Sequence, residues 1–143
     1  MRVTQLSVFL ENKSGRLSDV TRTLADNSIN IRALSIADTI DYGLLRLIVD
    51  DPASATKVLT DEGFTVARTE VLAIEVPDHP GGLAGIIDIL AAKGLNIEYM
   101  YAFVGRSGGH AIVVFRIDPV EDAIQVLQEG GARILTGEAL HSL

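Results

Sequence analysis

The chain has 143 residues, 48% of them apolar, a formal net charge of −7 and no cysteine. That length suits one ordinary domain or two small ones with a packed core, and the acidic balance argues against a polyanion-binding surface, because nucleic-acid affinity comes mainly from Lys and Arg neutralising phosphates. Without cysteine there is no disulfide, no Cys-based zinc site and no thiol nucleophile.

The opening Met1-Arg2-Val3-Thr4-Gln5 has neither the basic head nor the apolar stretch of a secretory signal, and no apolar run is long enough to span a bilayer, so a cytoplasmic location is expected. Leu6, Val8 and Leu10 alternate, which predicts a half-buried strand. A turn over Asn12, Ser14 and Gly15 leads to a helix. Residues 29–39 and 43–50 then read as a hairpin closed around Asp41-Tyr42-Gly43. Pro52 opens a second helix, and Gly63 precedes a closing strand.

The same order begins again with Leu72, Ile74 and Val76. Leu83, Ile86, Ile87, Leu90 and Ala91 recur at helical spacing on one predicted stripe, which Lys93-Gly94 ends. Residues 95–104 and 110–117 form the next hairpin, closed around Arg106-Ser107-Gly108-Gly109. Pro119 opens a helix with Val120, Ala123, Ile124 and Leu127 on one face, and Gly131 precedes the last strand.

The recurrence is a true internal repeat. Displaced by 66 residues, Gly15 falls on Gly81, Leu17 on Leu83, Leu24 on Leu90, Asn30 on Asn96 and Ile31 on Ile97. Each copy reads βαββαβ, which predicts an α+β protein of two ferredoxin-like units, each a four-stranded antiparallel sheet with two helices on one face. The boundaries are 1–69 and 70–143. A unit this small buries only about 60% of its chain surface, and almost no linker separates Thr69 from Val71. The two units are therefore expected to form a compact pair.

The turn before each first helix offers a specific chemistry. Leading helical amides lack partners within the helix and carry partial positive charge, and a glycine there lets a ligand approach the backbone. A small carboxylate suits such a mouth. Asn12, Asn30 and Asn96 each carry an amide able to bond both an ammonium and a carboxylate, while Asp78, when ionised, accepts only. The same residues also have a purely structural reading, with Asn12 and Asp78 as caps or turn formers, Gly15 and Gly81 as positive-φ positions, and Asn30 and Asn96 in left-handed positions before a strand.

The stretch from Asn12 through Ser14, Gly15, Arg16 and Leu17 to Asn30-Ile31 resembles the ACT domain, an amino-acid-binding regulatory module of ferredoxin-like fold. "DHPGGL…GLNIEYMYAF", from Asp78 to Phe103, resembles it more closely. The likeness spans nearly the whole chain as two units. It implies units side by side, with free amino acids held between the turn of one and the second strand of the other. One site would then join Asn12, Ser14, Gly15, Arg16 and Leu17 to Asn96 and Ile97. The other would join Asp78, His79, Pro80, Gly81, Gly82 and Leu83 to Asn30 and Ile31. Some ACT units place a histidine five residues before the glycine, where this chain has Leu10 and Val76. The first turn also has Ser14 in place of the proline and Arg16 in place of the second glycine, and Arg16 either crowds the site or pairs with a carboxylate.

Tyr99, Tyr101 and Phe103 alternate, which places them on the open side of the sheet, and Met100, Ala102 and Val104 on the helix-covered side. Burial of that aromatic stripe by a second chain makes a homodimer the expected consequence. His79 and His110 lack the convergent partners of a metal or catalytic centre, so no cofactor, metal or enzymatic activity is expected. The leading expectation is an amino-acid sensor coupled to a partner enzyme. Alternatives are a regulatory or assembly subunit that binds no ligand, an RNA-binding module of the same strand order, and, most remote, an enzyme using His79 and Asp78; no membrane association is expected.

Overall fold

The computed structural model describes residues 1–11, 13–38 and 42–141. The chain is α+β and divides into two compact units. One runs from Thr4 to Thr69; the other holds Met1–Val3 together with the residues from Glu70 onward.

In the first unit, β1 (Val3–Glu11) leads to α1 (Arg16–Asp26), β2 (Ile31–Asp38), β3 (Tyr42–Val49) and α2 (Pro52–Asp61). β3 pairs antiparallel with β1, Leu6 opposite Leu47 and Val8 opposite Leu45, and with β2, Leu34 opposite Leu47 and Ile36 opposite Leu45. β1 also pairs with β4 (Thr65–Pro77). Leu6, Val8 and Leu10 point to the same side as Leu45, Leu47 and Val49, where Val20 and Leu24 of α1 and Ala55 and Leu59 of α2 close the core. α2 starts where the Asp51 carboxylate accepts from the Ser54 amide at 3.1 Å and Pro52 supplies a preset φ.

The second unit continues with α3 (Gly82–Ala91), β5 (Ile97–Ser107), β6 (His110–Ile117), α4 (Val120–Glu129) and the three-residue β7 (Arg133–Leu135). Its strands pair antiparallel in the order β5, β6, β4, β7. The core joins Leu72, Ile74 and Val76 to Val113, Phe115 and Ile117 under Ile86, Leu90, Ala123 and Leu127. Arg2 ion-pairs with Glu70 at 3.0 Å and with Glu121, which ties the N-terminal residues to this unit.

Four features depart from the sequence expectation. The closing strand of the first copy and the opening strand of the second are one continuous strand, β4. A short helix, α5 (Gly137–His141), follows β7 without a periodic signal. On α3 the buried stripe runs through Gly82, Ile86 and Leu90 with Leu83 and Ile89 beside it, so that Ala91 is exposed. Finally, Met100 and Ala102 are not covered by helices.

Both copies carry a β-bulge at the same place. Ile31 lies opposite Val49 but Ala33 opposite Ile48; Ile97 lies opposite Ile117 but Tyr99 opposite Arg116. Two residues on one strand therefore answer one on the other, and the facing reverses. After the bulge Met100 shares the core side with Phe115, yet it is 38% exposed; Leu34 and Ile36, on the core side of β2, are likewise exposed. The buried cores under the helices are drawn from β1, β3, β4 and β6, with Ile31 of β2 and Ile97 of β5 at their margins. Tyr99 and Tyr101 face the other way and are half-buried, and Phe103 is buried. The Val104 side chain, Asn12 and Asp41 lie outside what is described.

Candidate functional site

Both helix mouths take the same backbone form. Gly15 has φ 90° and ψ −11°, Gly81 φ 89° and ψ −11°, and neither helix has a side-chain cap. Only glycine holds this left-handed conformation without strain. Open space lies beside both: a Cβ on either would meet no described atom within 4 Å. The next amides, of Leu17 and Ser18 and of Leu83 and Ala84, head their helices and have no acceptor within them.

The side chains around the two mouths differ. In the first, the Lys13 amide bonds the Glu11 carbonyl at 2.7 Å, and Lys13 Nζ reaches Glu11 Oε2 at 2.9 Å. Arg16 lies 3.6 Å from Glu11 Oε1 and 3.5 Å from Asp19, with its guanidinium 5.0 Å from the centre of the Phe64 ring. The Lys13 hydrogen bond, then the charges of Lys13 and Arg16, hold the Glu11 carboxyl below its ordinary pKa. A hollow of about 120 Å³ opens here between Leu10, Glu11, Lys13, Arg16, Leu17, Ile36 and Gly43. Arg16 also borders a larger polar cleft of about 520 Å³ with Arg22, Asp26, Glu62 and Phe64.

The second mouth is backbone packed on backbone. The His79 amide bonds the Pro77 carbonyl at 2.9 Å, the Gly82 amide bonds the His79 carbonyl at 3.0 Å, and the Asp78 amide reaches Gly109 O at 3.4 Å. A Cβ on Gly82 would lie 1.9 Å from the Pro77 oxygen, so no larger residue fits. His79 Nδ1 sits 2.9 Å from the Pro80 carbonyl, which can only accept, and that nitrogen therefore carries the proton.

Asn30 and Asn96 are exposed. The Asn30 backbone N–H donates to the Asp50 carboxylate at 3.0 Å, while Ile31 and Ile97 pack against their own cores. Within one unit the mouth and the asparagine stand at opposite ends of α1 or α3. For the 11 residues of α1 this is about 16 Å, so a single unit does not bring the two together. Asn12 is outside the described residues. Ile36 and Gly43 are lining residues that the sequence pattern did not single out; they reach the first mouth through the β2–β3 pairing. Glu11 and Lys13 flank Asn12 in sequence, and their charges next to the glycine were the available signal. His110 is the strand partner of Pro77, and among the described residues no group of three His, Asp or Glu is placed to hold a metal ion. No helix among the described residues is long and apolar enough to cross a membrane.

Residues 1–143 match the family model described as an ACT domain pair. The chain also resembles protein BT0572 from Bacteroides thetaiotaomicron, with 45% identity, a TM-score of 0.93, and coverage of 100% of this chain and 98% of that one. The regulatory subunit of aspartate kinase from Thermus thermophilus, in its ligand-free form, is similar in fold at 16% identity, covering 89% and 91% of the two chains with a TM-score of 0.62. Its counterpart from Thermus flavus gives 17%, 90%, 92% and 0.59. No curated protein matches. The chain belongs to the ACT domain-pair family.

Proposed function

We propose that this chain is a non-catalytic, cytoplasmic amino-acid sensor whose ligand state regulates a partner enzyme of amino-acid metabolism. The observation that carries the reading is the pair of glycine mouths, alike in backbone angles and both open beside the glycine. Each presents unpaired helical amides to a carboxylate. The regulatory part rests on family membership and on a fold shared with regulatory subunits of aspartate kinase. On this reading residues 1–69 and 70–143 are ferredoxin-like ACT units set side by side, and the chain works as a homodimer. The pairing of each turn with the other unit's Asn30-Ile31 or Asn96-Ile97 rests on the resemblance alone.

A thermal-shift screen of the full chain against the common amino acids tests this. A ligand at a hundred times its dissociation constant adds about 2.7 kcal/mol of stability. Asn30→Ala and Asn96→Ala should each abolish the shift from one site. No shift with any amino acid rejects the sensor and favours an assembly subunit, whose first mouth is occupied by its own ion pairs among Glu11, Lys13 and Arg16.

A further inference from the structure

We infer that the first unit associates with a second copy of the chain through the polar cleft along α1, with Arg22 of each protomer entering between Asp26 and Glu62 of the other. This deepens the homodimer part of the proposed function and rests on it. The aromatic stripe expected to serve that role offers little surface, since Phe103 is buried and Tyr99 and Tyr101 are half-buried. The cleft, of about 520 Å³, is lined by first-unit residues alone and lies between α1 and the turn that joins α2 to β4.

Three charges on this cleft are left over. Arg16 is engaged by Glu11, Asp19 and the Phe64 ring, and on α2 Lys57 is held by Asp61 at 2.8 Å. Arg22, Asp26 and Glu62 are exposed and have no ion pair or side-chain hydrogen bond among the described residues. Asp26 is the last residue of α1 and Glu62 the C-cap of α2, and neither helix has a basic residue in its last turn. Two carboxylates thus stand at the negative ends of two helices, where a cation is favoured. Arg22 lies one helical turn from Asp26 and does not pair with it. A surface that carries an unpaired cation beside unpaired carboxylates is its own complement. Across a twofold axis residue i meets j and j meets i, so the fork of each Arg22 gains two carboxylates at once. An exposed ion pair contributes little by itself; reciprocity, repeated on both sides of the axis, is what holds the copies together.

The second unit fills the same junction. There Asp88 stands for Arg22, Ile89 for Thr23, Ala92 for Asp26, Gly130 for Glu62 and Ala132 for Phe64. Ile89 packs against the core of its unit, and a Cβ on Gly130 would lie 2.8 Å from Ile89 Cγ2, so Ile89 sits directly over Gly130. In the first unit the Thr23 hydroxyl turns back to the Asp19 carbonyl at 2.8 Å and leaves that space open. The three free charges therefore belong to one copy of the repeat.

Sedimentation velocity of the full chain over a range of concentrations tests this. The chain should dimerise. Arg22→Gln should weaken the dimer about tenfold or more, the usual consequence of losing a charged hydrogen bond. Arg22→Glu, and separately Asp26→Arg combined with Glu62→Arg, should each weaken it about a hundredfold or more, because attraction becomes like-charge repulsion on both sides of the axis. All three positions are exposed, so the circular dichroism of each variant should match that of the parent chain. An equimolar mixture of the two charge-reversed variants should dimerise again, since opposite charges then face each other in both contacts. Asp88→Arg, at the matching position of the second unit, should leave the dimer unchanged. A dimer indifferent to Arg22→Gln and Arg22→Glu, or one lost in both reversed variants and not recovered on mixing, overturns the inference while the homodimer stands. A chain that is monomeric at every concentration overturns both.

Discussion

The two turns that open α1 and α3 begin from the same glycine geometry and solve the next residue in opposite ways. In the second, Gly82 lets the helix start in near contact with the Pro77 carbonyl. In the first, Arg16 stands there with its long side chain turned out over Phe64 and back to Glu11. A repeat thus preserves backbone where the left-handed glycine is indispensable and varies the neighbour. One mouth is set by close backbone packing at Gly82, and the other by the ion pairs of Lys13 and Arg16 with Glu11.

The largest expected effect comes from breaking the steric mouth. Gly82→Ala drives a methyl into the Pro77 oxygen, which is backbone and cannot swing aside. A loss of about 3 kcal/mol or more in denaturant unfolding is expected. Arg16→Gly at the matching position removes only exposed ion pairs and a ring contact, and should cost about 1 kcal/mol. Equal losses would mean that the two mouths are packed alike.

Next come the paired cores. Leu24 and Leu90 are equivalent in the repeat and both fully buried, so each Leu→Ala change should cost about 2–5 kcal/mol by the same assay. Similar values would locate the asymmetry in the turns and not beneath the helices. Gly15→Ala and Gly81→Ala should each cost about 1 kcal/mol, from backbone strain alone, since open space lies beside both. A clearly larger loss at one of them would show that its mouth is closed.

The smallest effect is a difference in acid response. The folded pKa of Glu11 is depressed by Lys13 and Arg16, so its contribution to stability is present above the unfolded carboxylate value and disappears as pH falls through the depressed folded value. Carboxyl NMR titration should place the Glu11 midpoint below the usual value of about 4.3 and return it upward in Lys13→Gln. In the second copy Pro77 stands at the position that corresponds to Glu11.

Much of the architecture was legible because it is written in local preferences. Alternation in Leu6, Val8 and Leu10, helical spacing in Val120, Ala123 and Leu127, and the mouth glycines all act within a few residues. The aromatic stripe misled in part. Tyr99 and Tyr101 do share a face, but Met100 and Ala102, expected under the helices, are exposed. Asn30 and Asn96 were read together with the mouths from resemblance; within a unit the helix keeps them apart.

From its residues alone this protein declared a duplicated βαββαβ order and two glycine-headed helices, the first with Arg16 where the second has Gly82. Tertiary structure alone decided the bulges after Ile31 and Ile97, the single strand that serves both copies, and the arrival of Ile36 and Gly43 at the first mouth. The division has one physical cause. Dihedral preference and periodicity are properties of neighbours in sequence, whereas strand register is a bargain between segments far apart in the chain, and a single extra residue in it changes which side chains meet.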